Sequence, residues 1–245
     1  MLTARYLETV RGLVDHIQQT QLRAIEQAAE AVVEHIGETG RIFVFGAGHT
    51  SMMAQEVFYR AGGLAIVNPI FGPGVMLDER PVTLTTEMEH MEGFGRSLVR
   101  AKGVQREDAL VVASISGRNP LPVDVALEGK EIGAVVVAVT SLAYSQSVEP
   151  LHSSRRRLFE VADFVLDCGA PPGDAALAVE GLPVKVGPVS TLGGALLMNL
   201  LMLQVIEGFL ARGILPGIFA SANLDWGREY NQQVLQRYRN RITYL

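Results

Sequence analysis

The chain has 245 residues, 48% of them hydrophobic, enough to bury a full core in one large domain or in a domain with appendages. Cys168 is the only cysteine, which excludes a disulfide scaffold, and 26 acidic against 21 basic residues leave a formal net charge of −5. That balance argues against a nucleic-acid partner, because the only basic run, Arg155-Arg156-Arg157, is three residues long and reads as a solvated helix end or a docking point for a polyanion or protein.

Mean hydropathy is positive at +0.22, so a membrane segment has to be considered. The most apolar window, Ala195 to Ile206, is interrupted by Asn199 and Gln204 and followed by Glu207, short of the roughly 20 apolar residues a span needs. No membrane partner is expected. The start, Met1-Leu2-Thr3-Ala4-Arg5-Tyr6, lacks the basic-then-apolar order of a secretory signal, and with one cysteine the expected location is the cytoplasm.

In chain order, Tyr6, Val10, Leu13 and Ile17, then Leu22, Ile25, Ala29, Val32 and Ile36, step by three and four and predict helix over 3–37, with a phase slip near Thr20. The period changes at Ile42-Phe43-Val44-Phe45, a strand that ends in Gly46-Ala47-Gly48-His49-Thr50-Ser51. A helix to about Ala61 follows, then a second strand over Leu64 to Val67. Asn68 to Gly93 is the least regular stretch, with Pro69, Gly72, Pro73, Gly74 and Pro81, and one short helix is expected around Thr86 to His90. Phe94 to Lys102 reads as helix. Ala109 to Ala113 is a buried strand ending in Ser114-Ile115-Ser116-Gly117-Arg118-Asn119-Pro120, and the helix after it has Pro122 near its start and stops at Gly133. Ala134 to Val139 is a strand ending at Thr140-Ser141, and Phe164 to Asp167 is a fifth strand. A short extended piece at Val184 to Val186, a long helix over Leu192 to Ala211 opened by Val189-Ser190-Thr191, and a polar helix from about Asp225 to Asn240 complete the chain. Strands that alternate with helices and are continuously apolar predict an α/β fold with a parallel sheet covered on both faces. The long helix is apolar almost all round, which predicts burial on several sides and an oligomer.

In an open parallel sheet, ligands bind beyond the carboxyl ends of the strands where strand order reverses. Small and hydroxyl residues gather at those ends: Gly46, Gly48, His49, Thr50 and Ser51 after the first strand, Ser114, Ser116, Gly117, Arg118 and Asn119 after the third, and Thr140 and Ser141 after the fourth. Each loop alone is explained by helix capping and turn formation. Three at corresponding strand ends point to a bound anion held by backbone N–H groups, hydroxyls and helix starts. A dinucleotide does not fit, because the third glycine of its fingerprint falls at Ser51 and no acidic residue ends the second strand, so no cofactor is expected.

These residues resemble the sugar isomerase (SIS) domain family. Arg41 to Ser51 looks like its first strand and glycine-rich loop, and Ser114 to Asn119 looks like its Ser-x-Ser-Gly-x-Thr/Ser phosphate loop, with Asn119 a departure at the last position. Ser190-Thr191 is similar to a hydroxyl pair that phosphoheptose isomerases place near the same phosphate. The likeness covers about residues 31 to 214, and the whole chain, including Ser221-Ala222-Asn223-Leu224-Asp225, is similar to the bacterial UPF0309 group. The resemblance implies a flavodoxin-like five-stranded parallel sheet, a small-molecule sugar phosphate as partner, and homodimers or homotetramers whose sites often borrow residues from a neighbouring subunit. It divides the chain into an N-terminal helical arm (1–37), an SIS domain (31–214) and a C-terminal extension with a helix (215–245).

The activity implied is a sugar-phosphate isomerase of the aldose–ketose type, working by enediol proton transfer, with a non-catalytic sugar-phosphate sensor or an N-acetylmuramic acid 6-phosphate etherase-like lyase as alternatives. Glu56 stands about where phosphoheptose isomerases carry a histidine, while Arg60 stands at their catalytic glutamate. The irregular segment adds Glu87, Glu89, His90 and Glu92. Glu87 and His90, three apart, share a helix face and read as a base and acid, as two metal ligands, or as a solvated acidic helix. His49 reads as a ligand contact or a packing residue. Asp225 and Glu229 begin the last helix, where acidic residues favour the dipole in any case. A lone Glu-x-x-His does not define a metal centre and Cys168 has no visible ligand partner, so no metal is expected.

Overall fold

A computed structural model describes all residues, 1–245. Five parallel strands, β1 (Ile42–Gly46), β2 (Val67–Ile70), β3 (Ala109–Ala113), β4 (Val135–Thr140) and β5 (Phe164–Asp167), form one sheet in the order β2-β1-β3-β4-β5. In register, Ile42 lies opposite Val67 on one side and Ala109 on the other, Ala109 opposite Val135, and Val137 opposite Phe164. This is the flavodoxin-like α/β order expected, with its reversal between β1 and β3.

Successive strand residues point to opposite faces, and both faces are apolar. Ile42, Val44, Val111, Val137 and Val139 join one core with helices α1 (Leu2–Thr20), α2 (Leu22–Ile36), α3 (Ser51–Val57) and α8 (Ser190–Ala211). Phe43, Phe45, Leu110, Val112, Val136 and Ala138 join a second core under α5 (Phe94–Ala101) and α6 (Pro120–Ile132). The slip foreseen near Thr20 is a break at Gln21, whose side-chain carbonyl accepts the Asp167 backbone N–H at 2.9 Å and ties the helical pair to the end of β5. α2 precedes the first strand yet is built into the core, with Ile25, Val32, Val33 and Ile36 buried against α8.

Several boundaries differ from the sequence reading. The second strand lies three residues later than expected. Leu64 instead bridges Ile218 and the Ala65 N–H reaches the Gly217 carbonyl, while β2 runs through Pro69, which an edge strand tolerates because one side of it needs no donor. α3 stops at Val57 rather than Ala61 because Phe58 turns extended to pack edge-on against Phe71 and Tyr244. The short helix of the irregular stretch is α4 (Leu84–Glu89). An unforeseen α7 (Leu142–Gln146) follows β4, and β6 (Ala175–Leu177) pairs antiparallel with β7 (Val186–Pro188). The last helix, α9, spans Gly227–Arg237.

The apolar segment near residue 200 also extends further than its most apolar window. α8 has 22 residues and a mean hydropathy of 1.7 over its most apolar 18, so by length and composition it reaches what a membrane span requires. Leu197, Met198, Leu201, Met202, Val205 and Phe209 on one side of it are buried in the first core, and Leu192, Leu203 and Leu210 on the other are exposed.

Candidate functional site

β1 and β3 end side by side at the reversal of strand order, and each feeds a polar loop into a helix. After β1, Gly46 leads through Ala47 into a single turn, Gly48–Thr50, and then α3. Gly48 has φ +54°, and its N–H donates to the Val75 carbonyl at 2.8 Å. The Thr50 hydroxyl donates to the Ala47 carbonyl at 2.8 Å and accepts the Ala47 N–H at 3.0 Å, and the buried Ser51 hydroxyl donates to the Gly48 carbonyl at 2.7 Å. Both hydroxyls therefore hold the turn in shape. His49 stands exposed on its rim.

The second loop, Ser114–Asn119, is braced from below. The Thr140 hydroxyl donates to the Ile115 carbonyl at 3.0 Å, as does the Ser141 N–H, while the Ser141 hydroxyl donates to Ala170 and caps α7. Gly117, at φ +58°, has no room for a side chain, since a Cβ would stand 2.9 Å from the Ser145 hydroxyl. What the loop leaves free is equally specific. The Ser114 and Ser116 hydroxyls bond to no protein group, and half-buried Arg118 forms no ion pair and has a buried Nε without a partner. A buried donor left without a partner costs about 1–3 kcal/mol, which an oxyanion at this loop would recover.

Asn119 occupies the N-cap position of α6, but its side chain does not cap the helix. Its amide Nδ2 donates to Glu89 Oε2 at 2.7 Å, and Glu89 Oε1 lies 3.1 Å from where a Cβ on Gly48 would be. Glu89, the last residue of α4, thus places its carboxylate between the two loops. Burial pushes its pKa above the usual carboxylate range, partly opposed by the Asn119 hydrogen bond and by His90.

The other candidates lie elsewhere. Glu56 pairs with Arg60 and accepts from Asn199 Nδ2 of α8 at 2.9 Å, and these two partners line a small cavity with Val57 and Met202. Glu87 and His90 are exposed on the outer side of α4, His90 Nδ1 bonding the Thr86 carbonyl at 2.7 Å. At the start of α8, the Ser190 hydroxyl donates to Asp174 Oδ2 at 2.9 Å, while Asp174 Oδ1 accepts the Val189 and Ser190 N–H groups. A carboxylate therefore already caps this helix. Thr191 beside it is half-buried with its hydroxyl unbonded, and α8 packs against the Gly48–Thr50 turn. Cys168 is a core residue whose thiol burial pushes up to about 12, which removes it as a nucleophile. No group of three or more His, Cys, Asp or Glu side chains is arranged to hold a metal ion. Beside the glycine loop, Met52 and Gln55 of α3 face Met76, Leu77 and Asp78 across a cavity of about 370 Å³.

A doubly wound α/β protein with two polar loops meeting at its switch point, one of them presenting free hydroxyls and an unpaired guanidinium, is the class the fold and site define. A family model described as SIS domain matches residues 5–141, more than half of the chain, and the chain belongs to that family. It is 41% identical over 241 residues to a UPF0309 protein of Shouchella clausii, covering 98% of each chain, and 36% identical over 244 residues to one of Streptomyces griseus, covering 99% of this chain and 97% of that one. Among solved structures it is similar to phosphoheptose isomerase GmhA from Neisseria gonorrhoeae (TM-score 0.55, 19% identity, 84% of this chain and 97% of that one). A phosphoheptose isomerase from Francisella tularensis is similar to nearly the same degree (TM-score 0.53, 18% identity, 84% and 96%). At such identities these two likenesses speak to the fold.

Proposed function

We propose that the protein binds a sugar phosphate and isomerises it between aldose and ketose through an enediol. The observation that carries this reading is the half-buried Glu89 carboxylate standing between Gly48 and Asn119, next to a loop whose Arg118 has no carboxylate partner. The serine loop supplies the phosphate donors: the Ser114 and Ser116 hydroxyls, the backbone around Gly117, and Arg118. Thr191 adds a hydroxyl from α8. Gly46, Gly48, Thr50, Ser51, Thr140 and Ser190 act one step back, shaping the loops that hold the ligand. Glu89 is the base, its raised pKa bringing it closer to working pH than an exposed glutamate, as proton abstraction next to a carbonyl requires.

Two solved structures of similar fold are phosphoheptose isomerases, which agrees with this substrate class. A cytoplasmic location and a homodimer or homotetramer belong to the same reading. The exposed Leu192, Leu203 and Leu210 on the outer side of α8 are the surface we assign to self-association.

A thermal-shift panel of hexose, heptose and amino-sugar phosphates tests the binding. A rise in Tm with at least one is expected, and no rise with any of them while the protein is folded overturns the reading. Catalysis is tested by proton NMR in deuterated water: exchange at C2 of the bound sugar phosphate is expected from the wild type and not from Glu89→Gln. Binding without exchange would leave the non-catalytic sensor as the better description.

A further inference from the structure

The segment that carries Glu89 has little regular structure beyond α4, so its carboxylate stands over the serine loop only if something fixes the turn that follows. That turn, Glu89 to Gly93, is gripped from two sides. Asp124, in the second turn of α6 and only 1% exposed, accepts the Gly93 N–H on Oδ2. Its Oδ1 faces Nε2 of the buried His152 at 3.2 Å and Nε of Arg96 on α5 at 3.7 Å. His152 lies on the loop after α7, where the Ser154 N–H points at its Nδ1 from 2.9 Å. A backbone N–H can only donate, so Nδ1 is an acceptor and the ring proton is assigned to Nε2, directed at Asp124. From the turn itself, Glu92 accepts both the N–H of Ser153, at 3.0 Å, and its hydroxyl, and its Oε1 lies 3.6 Å from His152 Nε2. The Ser153 hydroxyl is the main cause holding Glu92 below the usual carboxylate range.

A buried Asp and His are a poor device for stability alone, since desolvation consumes much of what their attraction returns and an apolar pair of similar volume serves as well. What the pair supplies is direction. α6 carries Asp124 on its second turn and Asn119 at its start, so one helix holds the Gly93 end of the turn through Asp124 and the Glu89 end through Asn119. His152 keeps Asp124 aimed and anchors the loop whose Ser153 holds Glu92.

We propose that Asp124 and His152 are positioning residues, a clasp that locks the Glu89–Gly93 turn onto α6 and so sets where the Glu89 carboxylate stands over the serine loop. The function of the clasp rests on the reading of Glu89 as the base, but its existence is tested without a substrate. In protein labelled with ¹³C at the glutamate carboxyls, the Glu89 resonance is identified by its loss in Glu89→Gln and titrated. Asp124→Asn cannot accept from both the Gly93 N–H and His152 Nε2–H, because one of its two polar atoms is itself a donor. The freed turn then lets Glu89 reach solvent, and its midpoint falls toward that of a solvent-exposed glutamate. Glu92→Ala, at a surface position, gives a smaller shift in the same direction and carries the test if Asp124→Asn does not fold.

An unchanged Glu89 midpoint in the folded variants overturns the clasp. With the phosphosugar that the wild type turns over, Asp124→Asn should lower kcat at least tenfold with KM changed less than twofold. A loss confined to Tm, with kcat intact, marks the pair as merely structural and overturns the proposal. If the wild type binds phosphosugars but exchanges no C2 proton, the isomerase reading fails, while the titration still decides the clasp.

Discussion

Asn119→Ala separates the two jobs that residue 119 could do. The side chain makes no cap bond to α6, so replacing it costs the helix nothing of that kind, and the loss is confined to the 2.7 Å bond to Glu89. A hydrogen bond to a charged group contributes about 1.5–3 kcal/mol and one to a neutral group about 0.5–1.5 kcal/mol. Because Glu89 is partly exposed, the lower half of each range applies, which leaves about 1 kcal/mol between its ionised and neutral forms. The sign is fixed by the direction of the shift. The folded pKa of Glu89 already lies above its unfolded value, so its contribution to stability is present in acid and is lost as pH rises through the folded value. Removing Asn119 raises the folded value further and adds a cost that appears only where Glu89 is ionised. Urea unfolding should therefore show Asn119→Ala less stable than wild type by about 1–2 kcal/mol at pH 7 and by about 1 kcal/mol less than that at pH 4, and the ¹³C midpoint of Glu89 should move up. Equal losses at the two pH values, with an unmoved midpoint, would refute the contact and with it the placement of Glu89.

Ser116→Ala removes a donor that makes no protein contact, so it should weaken every phosphosugar about equally, by roughly 1 kcal/mol or fivefold in Kd, with the fold unaffected; calorimetric titration decides it. Arg118→Ala removes a charged donor and should cost roughly 10–100-fold in affinity for phosphosugars, and none for the unphosphorylated sugars. Asp174→Ala strips two N–H groups and the Ser190 hydroxyl of their acceptor at the start of α8 and should destabilise the protein by about 2 kcal/mol in thermal unfolding, while an unchanged Tm would contradict the cap. Light scattering should give a mass of two or four chains, and Leu203→Lys, a charge on the exposed side of α8, should lower it; a wild-type mass of one chain would sink the assigned surface.

The sheet was legible in the sequence because strands buried on both faces leave no alternation to misread. Val111 and Val112, or Val137 and Ala138, are adjacent in sequence and buried in different cores. β2 was misplaced because Pro69 looks like a strand breaker to any reading that does not know the strand is at an edge. The polar loops are legible as Gly- and Ser-rich strand ends, but the sequence does not show which of their hydroxyls the protein itself uses. Thr50, Ser51, Thr140 and Ser190 are spent on nearby carbonyls and on Asp174, as short polar side chains in tight turns commonly are. For the acidic segment, the spacing of Glu87 and His90 showed that they share a face of α4 without showing which face. The signal was in their neighbours: buried Thr85 and half-buried Met88 mark the inner side, and Glu89, four residues after Thr85, belongs to it.

A negative net charge and a carboxylate at the mouth of a proposed phosphate site look like conflicting choices, and the geometry gives them one physical sense. The donors around the serine loop are neutral hydroxyls and backbone N–H groups with a single guanidinium, so under the proposed function an anion is held by local dipoles rather than by a basic surface. Glu89 sits close enough to share that environment through Asn119, and its ionised form is only partly stabilised there, which is why burial prevails and its pKa rises. Under the proposed function, a phosphate arriving at Ser116 and Arg118 brings a second negative charge toward Glu89, and like charges at short range raise the pKa of the carboxyl further. Binding then strengthens the base at the moment a substrate is present to be deprotonated, and an empty site keeps Glu89 weakly basic against Asn119. The clasp at Asp124 and His152 is what makes such coupling possible, because a carboxylate free to swing into water would screen itself from the phosphate and feel little of its charge.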